Sequence, residues 1–316
     1  MQHDVVTVEK FFEEHQKFLG LTKLVGGESS MKRLIREPTV NRPGLALAGF
    51  TKYFAGRRIQ VIGSAEATFL KSLTPEQQEQ RYKQLFSFRI PCVIYCRGIN
   101  PDKMFLKAAE AADTPVFKCP SITMKFINLA TLALEMMFAP HGTEMGSMVD
   151  ILGVGVIVRG ESGIGKSESV LELIERGYSL VSDDITKVTL VDGREIIGTS
   201  PPLTRNHMEV RGIGIINVAA MFGVKSIRTE KRVDLIVTLK PWQQLANIDR
   251  LGMDDEFVQV LGINVPHATI PVAPGRNIAR LIEVAALQTK LKIIGYNAAK
   301  ELNERLIQKM TGGGIA

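Results

Sequence analysis

Val154-Gly155-Val156-Ile157-Val158-Arg159 runs directly into Gly160-Glu161-Ser162-Gly163-Ile164-Gly165-Lys166-Ser167. The β-branched run reads as a buried strand. The turn after it fits G-x-x-x-x-G-K-[ST] at every position, and Glu168 to Arg176 continues as a helix closed by Gly177. Gly160, Gly163 and Gly165 let the backbone turn tightly, so that successive N–H groups converge on a concavity suited to anionic oxygens. The helix adds free N–H groups and the positive end of its dipole. Lys166 can reach the β- and γ-phosphates of a nucleotide, and Ser167 offers a hydroxyl to Mg²⁺.

A chain of 316 residues suggests two domains, and 45% hydrophobic with 23% charged residues suits a globular fold. No apolar run approaches the roughly 18 residues of a membrane span. Met1-Gln2-His3-Asp4 lacks the basic-then-apolar start of a secretory signal, so a cytoplasmic protein without membrane contact is expected. The formal charge of +6 is spread diffusely, with no basic run interleaved by aromatics, which argues against a nucleic-acid partner. Cys92, Cys96 and Cys119 suit a reducing compartment; the Cys92–Cys96 gap is wider than C-x-x-C, and both read as buried small residues.

The first part of the chain alternates helices and strands. Val8–Leu19 has helical spacing, Arg58–Gly63 alternates like a strand, and Thr74-Pro75-Glu76-Gln77 carries a capping box that opens a helix through Phe86. Cys92–Cys96 and Val116–Lys118 read as strands around a helix at 102–112. Ser121–Phe138 reads as a helix joining the halves, with Met136 and Met137 in a core or interface. The boundary is placed near residue 130, giving a smaller α/β domain over 1–130 without a catalytic motif and a phosphate-binding domain over 131–316. In the second part Arg232–Leu239 reads as a strand. Helices over Asn277–Thr289 and Asn297–Met310 flank a short strand at Leu291–Ile294.

Asp183-Asp184 ends the strand that follows the phosphate-loop helix. Paired carboxylates there can divide two roles, one holding Mg²⁺ or its water and one taking a proton from an attacking hydroxyl. The short spacing excludes the Ras-like, RecA-like and transporter ATPases, and neither L-S-G-G-Q nor N-K-x-D is present. Glu209 can complete the metal's shell, and Arg211 can instead pair with it. Pro271-Val272-Ala273-Pro274-Gly275-Arg276 offers a stiff loop, close backbone approach and a guanidinium for phosphate, or is a plain turn. Arg250 taken alone reads as a surface arginine, and Trp242 as packing.

Taken together, Arg42-Pro43-Gly44-Leu45, Gly160–Ser167, Val181–Asp184, Glu209–Val218, Thr229–Arg232 and Pro271–Arg276 resemble the HPr kinase/phosphorylase family over most of the chain. The resemblance implies a P-loop, PEP carboxykinase-like kinase domain behind a smaller α/β N-terminal domain. It implies ATP-dependent phosphorylation of a serine of the phosphocarrier HPr, reversed by inorganic phosphate to give pyrophosphate, in a homohexamer. By the same resemblance Lys166 and Ser167 serve phosphates and Mg²⁺, with Glu209 a second metal-linked acid. Asp184 takes and returns the serine proton, Arg250 is catalytic, and Pro271–Arg276 acts mainly in dephosphorylation.

One departure bears on the chemistry. The family's catalytic histidine, in a His-Gly pair before the phosphate loop, aligns without a gap to Met145; a His141-Gly142 pair stands four residues earlier. Either His141 reaches the phosphate through a longer hairpin or that function is absent. A P-loop kinase of another substrate and a non-catalytic nucleotide sensor are the remaining readings.

Overall fold

The computed structural model describes residues 5–244 and 255–311. The chain divides into two compact units between Ala139 and Pro140.

The N-terminal unit runs α1 (Val8–Leu19), β1 (Thr22–Val25), α2 (Glu28–Met31), β2 (Val40–Asn41), α3 (Gly44–Leu47), β3 (Ile59–Ile62), α4 (Ser64–Ser72), α5 (Pro75–Ser87), β4 (Val93–Tyr95), α6 (Lys103–Ala111), β5 (Val116–Lys118) and α7 (Thr123–Phe138). Its five strands lie in the order β1-β5-β4-β3-β2, parallel apart from the antiparallel β1 edge. Helices cover both faces, so β3 and β4 are buried along their whole length. Gln60 therefore does not alternate outward: its amide is buried and donates to the Ala55 and Arg58 carbonyls. The capping box stands as expected, with the Gln77 N–H on Thr74 Oγ1 and the Thr74 N–H on Gln77 Oε1. Residue 130 falls inside α7. Phe126, Ala130, Ala133, Leu134 and Met137 of that helix join the same core as Phe11 and Phe117. The whole helix thus belongs to the N-terminal unit, while Met136 points to solvent.

The C-terminal unit begins with β6 (His141–Met145), β7 (Ser147–Ile151), β8 (Val154–Gly160), α8 (Lys166–Glu175), β9 (Ser179–Ser182), β10 (Ile185–Val191) and β11 (Glu195–Thr199). It continues with β12 (His207–Val210), β13 (Gly214–Asn217), α9 (Val218–Phe222), β14 (Glu230–Arg232), β15 (Leu235–Pro241), β16 (Glu256–Val260), β17 (Ile263–Val272), α10 (Ile278–Ile293) and α11 (Ala298–Thr311). A six-stranded sheet, β16-β17-β15-β8-β7-β9, has β17, β15 and β8 parallel at its centre. Alternation along the strands serves two cores. Val156, Val158, Leu235 and Val237 pack with Val170 and Leu173 of α8 and Ile282 and Ala286 of α10. Ile157, Ile236 and Met148 pack with Val188 and Ile196 of the second sheet, β14-β11-β10-β6.

Gly155 is where the backbone of β14 crosses β8: a Cβ there would stand 1.9 Å from the Arg232 carbonyl oxygen. That crossing also divides the expected strand 232–239. Arg232 ends β14, and Asp234 accepts from the Gly155 N–H (2.8 Å) before β15 begins. Leu291–Ile294 is not a strand. The buried positions Ala279, Ile282, Ala286 and Thr289 keep helical spacing, and α10 runs on to Ile293 before Gly295 turns the chain (φ 93°).

Candidate active site

β8 delivers the chain to Gly160, the turn passes through Gly163 (φ 84°) and Gly165 (φ 101°), and α8 starts at Lys166. No side chain caps that helix, which leaves its first N–H groups for an anion. Lys166 Nζ donates to the Gly160 and Glu161 carbonyl oxygens at 2.8 and 2.9 Å, folding the cation over its own loop.

β9 brings the two aspartates to the same place but gives them different surroundings. Asp183 is buried: Oδ1 accepts from the Ser147 hydroxyl (2.8 Å) and Oδ2 from the Glu209 N–H (3.0 Å). Asp184 is exposed, in the left-handed region at φ 53°. Its N–H donates to Ser147 Oγ (3.3 Å) and its carbonyl accepts from the Gly146 N–H (2.7 Å). An aspartate tolerates that conformation better than most residues, and such strain gathers at functional turns.

A cavity of about 210 Å³ collects Gly163, Lys166, Ser167, Asp184, Glu209 and Arg211. Asp183 does not line it. Both its oxygens accept hydrogen bonds, which ties the Glu209 strand to the Asp184 turn. Arg211 makes no pair with Glu209; it donates to Ser162 Oγ at 2.8 Å, over the phosphate loop. Arg211 stands in the turn just after β12, two residues beyond Glu209. Glu168, in the first turn of α8, also lines the cavity.

His141 and Met145 both lie on β6, whose pairing to β10 runs without a bulge from Thr189↔His141 to Ile185↔Met145. His141 is thus about 13 Å from Met145 along a strand rising ~3.3 Å per residue. The hairpin carries no extra loop that would return the imidazole, so the residue next to the Asp184–Gly146 bond is Met145. Pro271–Arg276 ends β17, at the carboxyl edge that the phosphate loop shares, with β15 between them. Arg276 does not line the cavity. It donates to the Pro271 carbonyl (3.3 Å) and stacks on Trp242, 5.5 Å from the ring centroid, so the half-exposed Trp242 is a guanidinium platform rather than a core residue. Arg250 lies outside the described residues.

Among the described residues no cluster of three or more His, Cys, Asp or Glu side chains is placed to hold a metal. The hard oxygen donors of Ser167, Glu209 and Asp184 in one cavity nevertheless fit Mg²⁺, which takes few protein ligands and completes its shell with phosphates and water.

Burial pushes the Asp183 carboxyl above its ordinary range, against the pull of the Glu209 N–H and the Ser147 hydroxyl, and the charge of Asp184 adds to the push. The folded chain therefore holds this proton more tightly than the unfolded chain. The group's contribution to stability is complete below its ordinary pKa and is lost as pH rises through the raised one. Asp183→Asn keeps an acceptor for Glu209 without the charge, so its melting temperature should gain on wild type as pH rises from about 4 to neutrality. Asp183→Ala should lose about 1–3 kcal/mol by stranding the Glu209 N–H. Thermal melts over that pH range check both, and an Asn variant that loses ground with rising pH contradicts the assignment.

Models of known families match both halves: "HPr Serine kinase N terminus" over residues 6–134 and "HPr Serine kinase C-terminal domain" over residues 136–306. The HPr kinase/phosphorylase of Caldicellulosiruptor bescii is 40% identical over 293 residues, covering 93% of this chain and 93% of its own. That of Leptospira biflexa is 38% identical over 303 residues, covering 95% and 94%. The solved HPr(Ser) kinase/phosphatase of Coxiella burnetii shares 34% identity over 52% of this chain and 99% of its own, with a TM-score of 0.47.

Proposed function

The chain belongs to the HPr serine kinase family, and from that premise we propose that it phosphorylates a serine of HPr with ATP and reverses the reaction by phosphorolysis. The observation that carries the reading is the single cavity in which Lys166, Ser167, Asp184, Glu209 and Arg211 meet. Asp184 accepts the serine hydroxyl's proton as its oxygen attacks the γ-phosphorus. Lys166 and Arg211 donate to the oxygens on which charge accumulates. In reverse, inorganic phosphate held by the loop attacks the phosphoserine phosphorus, pyrophosphate forms, and Asp184 returns the proton to the departing serine oxygen. Ser167 and Glu209 would hold Mg²⁺, which when bound neutralises the phosphate charge. Met145 neither gives nor takes a proton, so the proton transfer at the serine oxygen rests with Asp184.

Incubating the protein with γ-labelled ATP and HPr tests the forward reaction, and phosphoserine-HPr with inorganic phosphate tests the reverse. Label on HPr and released pyrophosphate are the expected products. ATP binding without either would leave a nucleotide sensor instead. We take the assembly to be a homohexamer, which sedimentation velocity checks. No described helix is long and apolar enough to cross a membrane, and a cytoplasmic setting fits a phosphocarrier substrate.

Arg276→Ala should impair phosphorolysis more than phosphorylation, by about tenfold in the ratio of the two rates, the loss of one charge-assisted bond. Trp242→Ala should move the ratio the same way by freeing the guanidinium. Equal losses in both directions, measured side by side, would remove the loop from the reverse reaction.

A further inference from the structure

β4 and β5 are parallel neighbours whose last matched pair is Tyr95↔Lys118. The next residues on each, Cys96 and Cys119, therefore meet just beyond the carboxyl ends of the strands. The Cys119 N–H donates to the Tyr95 carbonyl (2.8 Å), and the Gly98 N–H donates to the Cys119 carbonyl (2.8 Å). The two Sγ atoms are 3.6 Å apart, hydrogen-bonded and fully buried. Adjacent strands run about 4.7–4.9 Å apart, which lies within the Cα separation of about 4.4–6.8 Å that a disulfide accepts. Sequence spacing drew attention to Cys92 and Cys96; the fold pairs Cys96 with Cys119 and leaves Cys92 isolated.

We propose that Cys96 and Cys119 form a modification site, a dithiol that closes to a cross-strand disulfide with hydrogen peroxide. Only the side chains need move, since the sulfurs close from 3.6 Å to a bond of about 2.05 Å. The two thiols are unequal. The bond to Cys96 and the Ser121 N–H, ahead of α7, draw the Cys119 thiol below its ordinary pKa, while that same bond and burial push Cys96 up. We take Cys119, beside the Ser121 N–H, as the attacking sulfur. Its thiolate attacks one peroxide oxygen, the O–O bond breaks and hydroxide leaves, giving a sulfenic acid. Hydroxide takes the Cys96 proton, the Cys96 sulfur attacks the Cys119 sulfur, and the S–O bond breaks as hydroxide leaves with the proton first lost by Cys119. Two thiols lose two electrons and two protons, and one peroxide becomes two waters.

The test uses the full-length protein treated with hydrogen peroxide, denatured in iodoacetamide and digested with trypsin. Ile90–Arg97 contains Cys92 and Cys96, and Cys119–Lys125 contains the third thiol. The expected product joins these peptides, with fragmentation placing the alkyl group on Cys92 and the link on Cys96, and dithiothreitol restores three alkylated thiols. Cys92→Ser should still form the link. Cys96→Ser should give sulfenic or sulfinic acid on Cys119 instead. A link through Cys92, a sulfinic Cys119 beside an alkylated Cys96 in wild type, or alkylation of all three thiols after peroxide would each overturn the proposal.

Discussion

Asp184→Asn is expected to lower phosphorylation of HPr and its phosphorolysis together by about 10²–10⁴-fold, the usual contribution of a positioned general base, while ATP binding holds at the wild-type level. The amide occupies the same space and keeps the backbone bonds to Ser147 and Gly146, so the turn survives. What disappears is the capacity to take a proton at one atom, through which both directions pass in the proposed mechanism. Single-turnover rates with labelled ATP, beside nucleotide titration, separate the two effects. A variant that turns over near the wild-type rate, or that loses ATP, removes Asp184 from the role of base.

Lys166→Met should differ in its binding, losing nucleotide affinity along with about 10²–10³ in both rates. Lys166 Nζ sits on two carbonyl oxygens of its own loop, which hold the cation close to the phosphate concavity. Methionine keeps the length of the stem and removes the charge, so the fold should melt unchanged. Calorimetric titration with ATP is the discriminating measurement: full affinity in the methionine variant would mean that the backbone N–H groups alone hold the phosphates.

How far the sequence carried depended on how local each interaction is. The phosphate loop, the Thr74 capping box and the Asp183-Asp184 turn are contiguous stretches whose backbone demands show in the residue types, and all three stand where they were expected. Function within the acid pair was not legible. Which aspartate is buried depends on Ser147, 36 residues away, and on the Glu209 N–H, 26 residues away. The same holds for Arg211 on Ser162, Arg276 on Trp242 and Cys96 beside Cys119, each joined by strand order rather than by spacing. Leu291–Ile294 misled because a short apolar run suits a strand or a helix end alike, and only the absence of a neighbouring strand decides. The expected boundary near residue 130 falls within α7, because an apolar helix between two domains carries no mark of which core it fills.

Positions 145 and 146 are subject to opposite pressures. At Gly146 any Cβ would meet the Val158 carbonyl oxygen at 2.6 Å, so that residue is frozen by the sheet beneath it, whereas Met145 beside it is 71% exposed and restrained by nothing but its strand. The chain can therefore exchange the chemical character of one side chain beside the Asp184 turn while the scaffold stays the same. Methionine there is a change of tool on an unaltered handle.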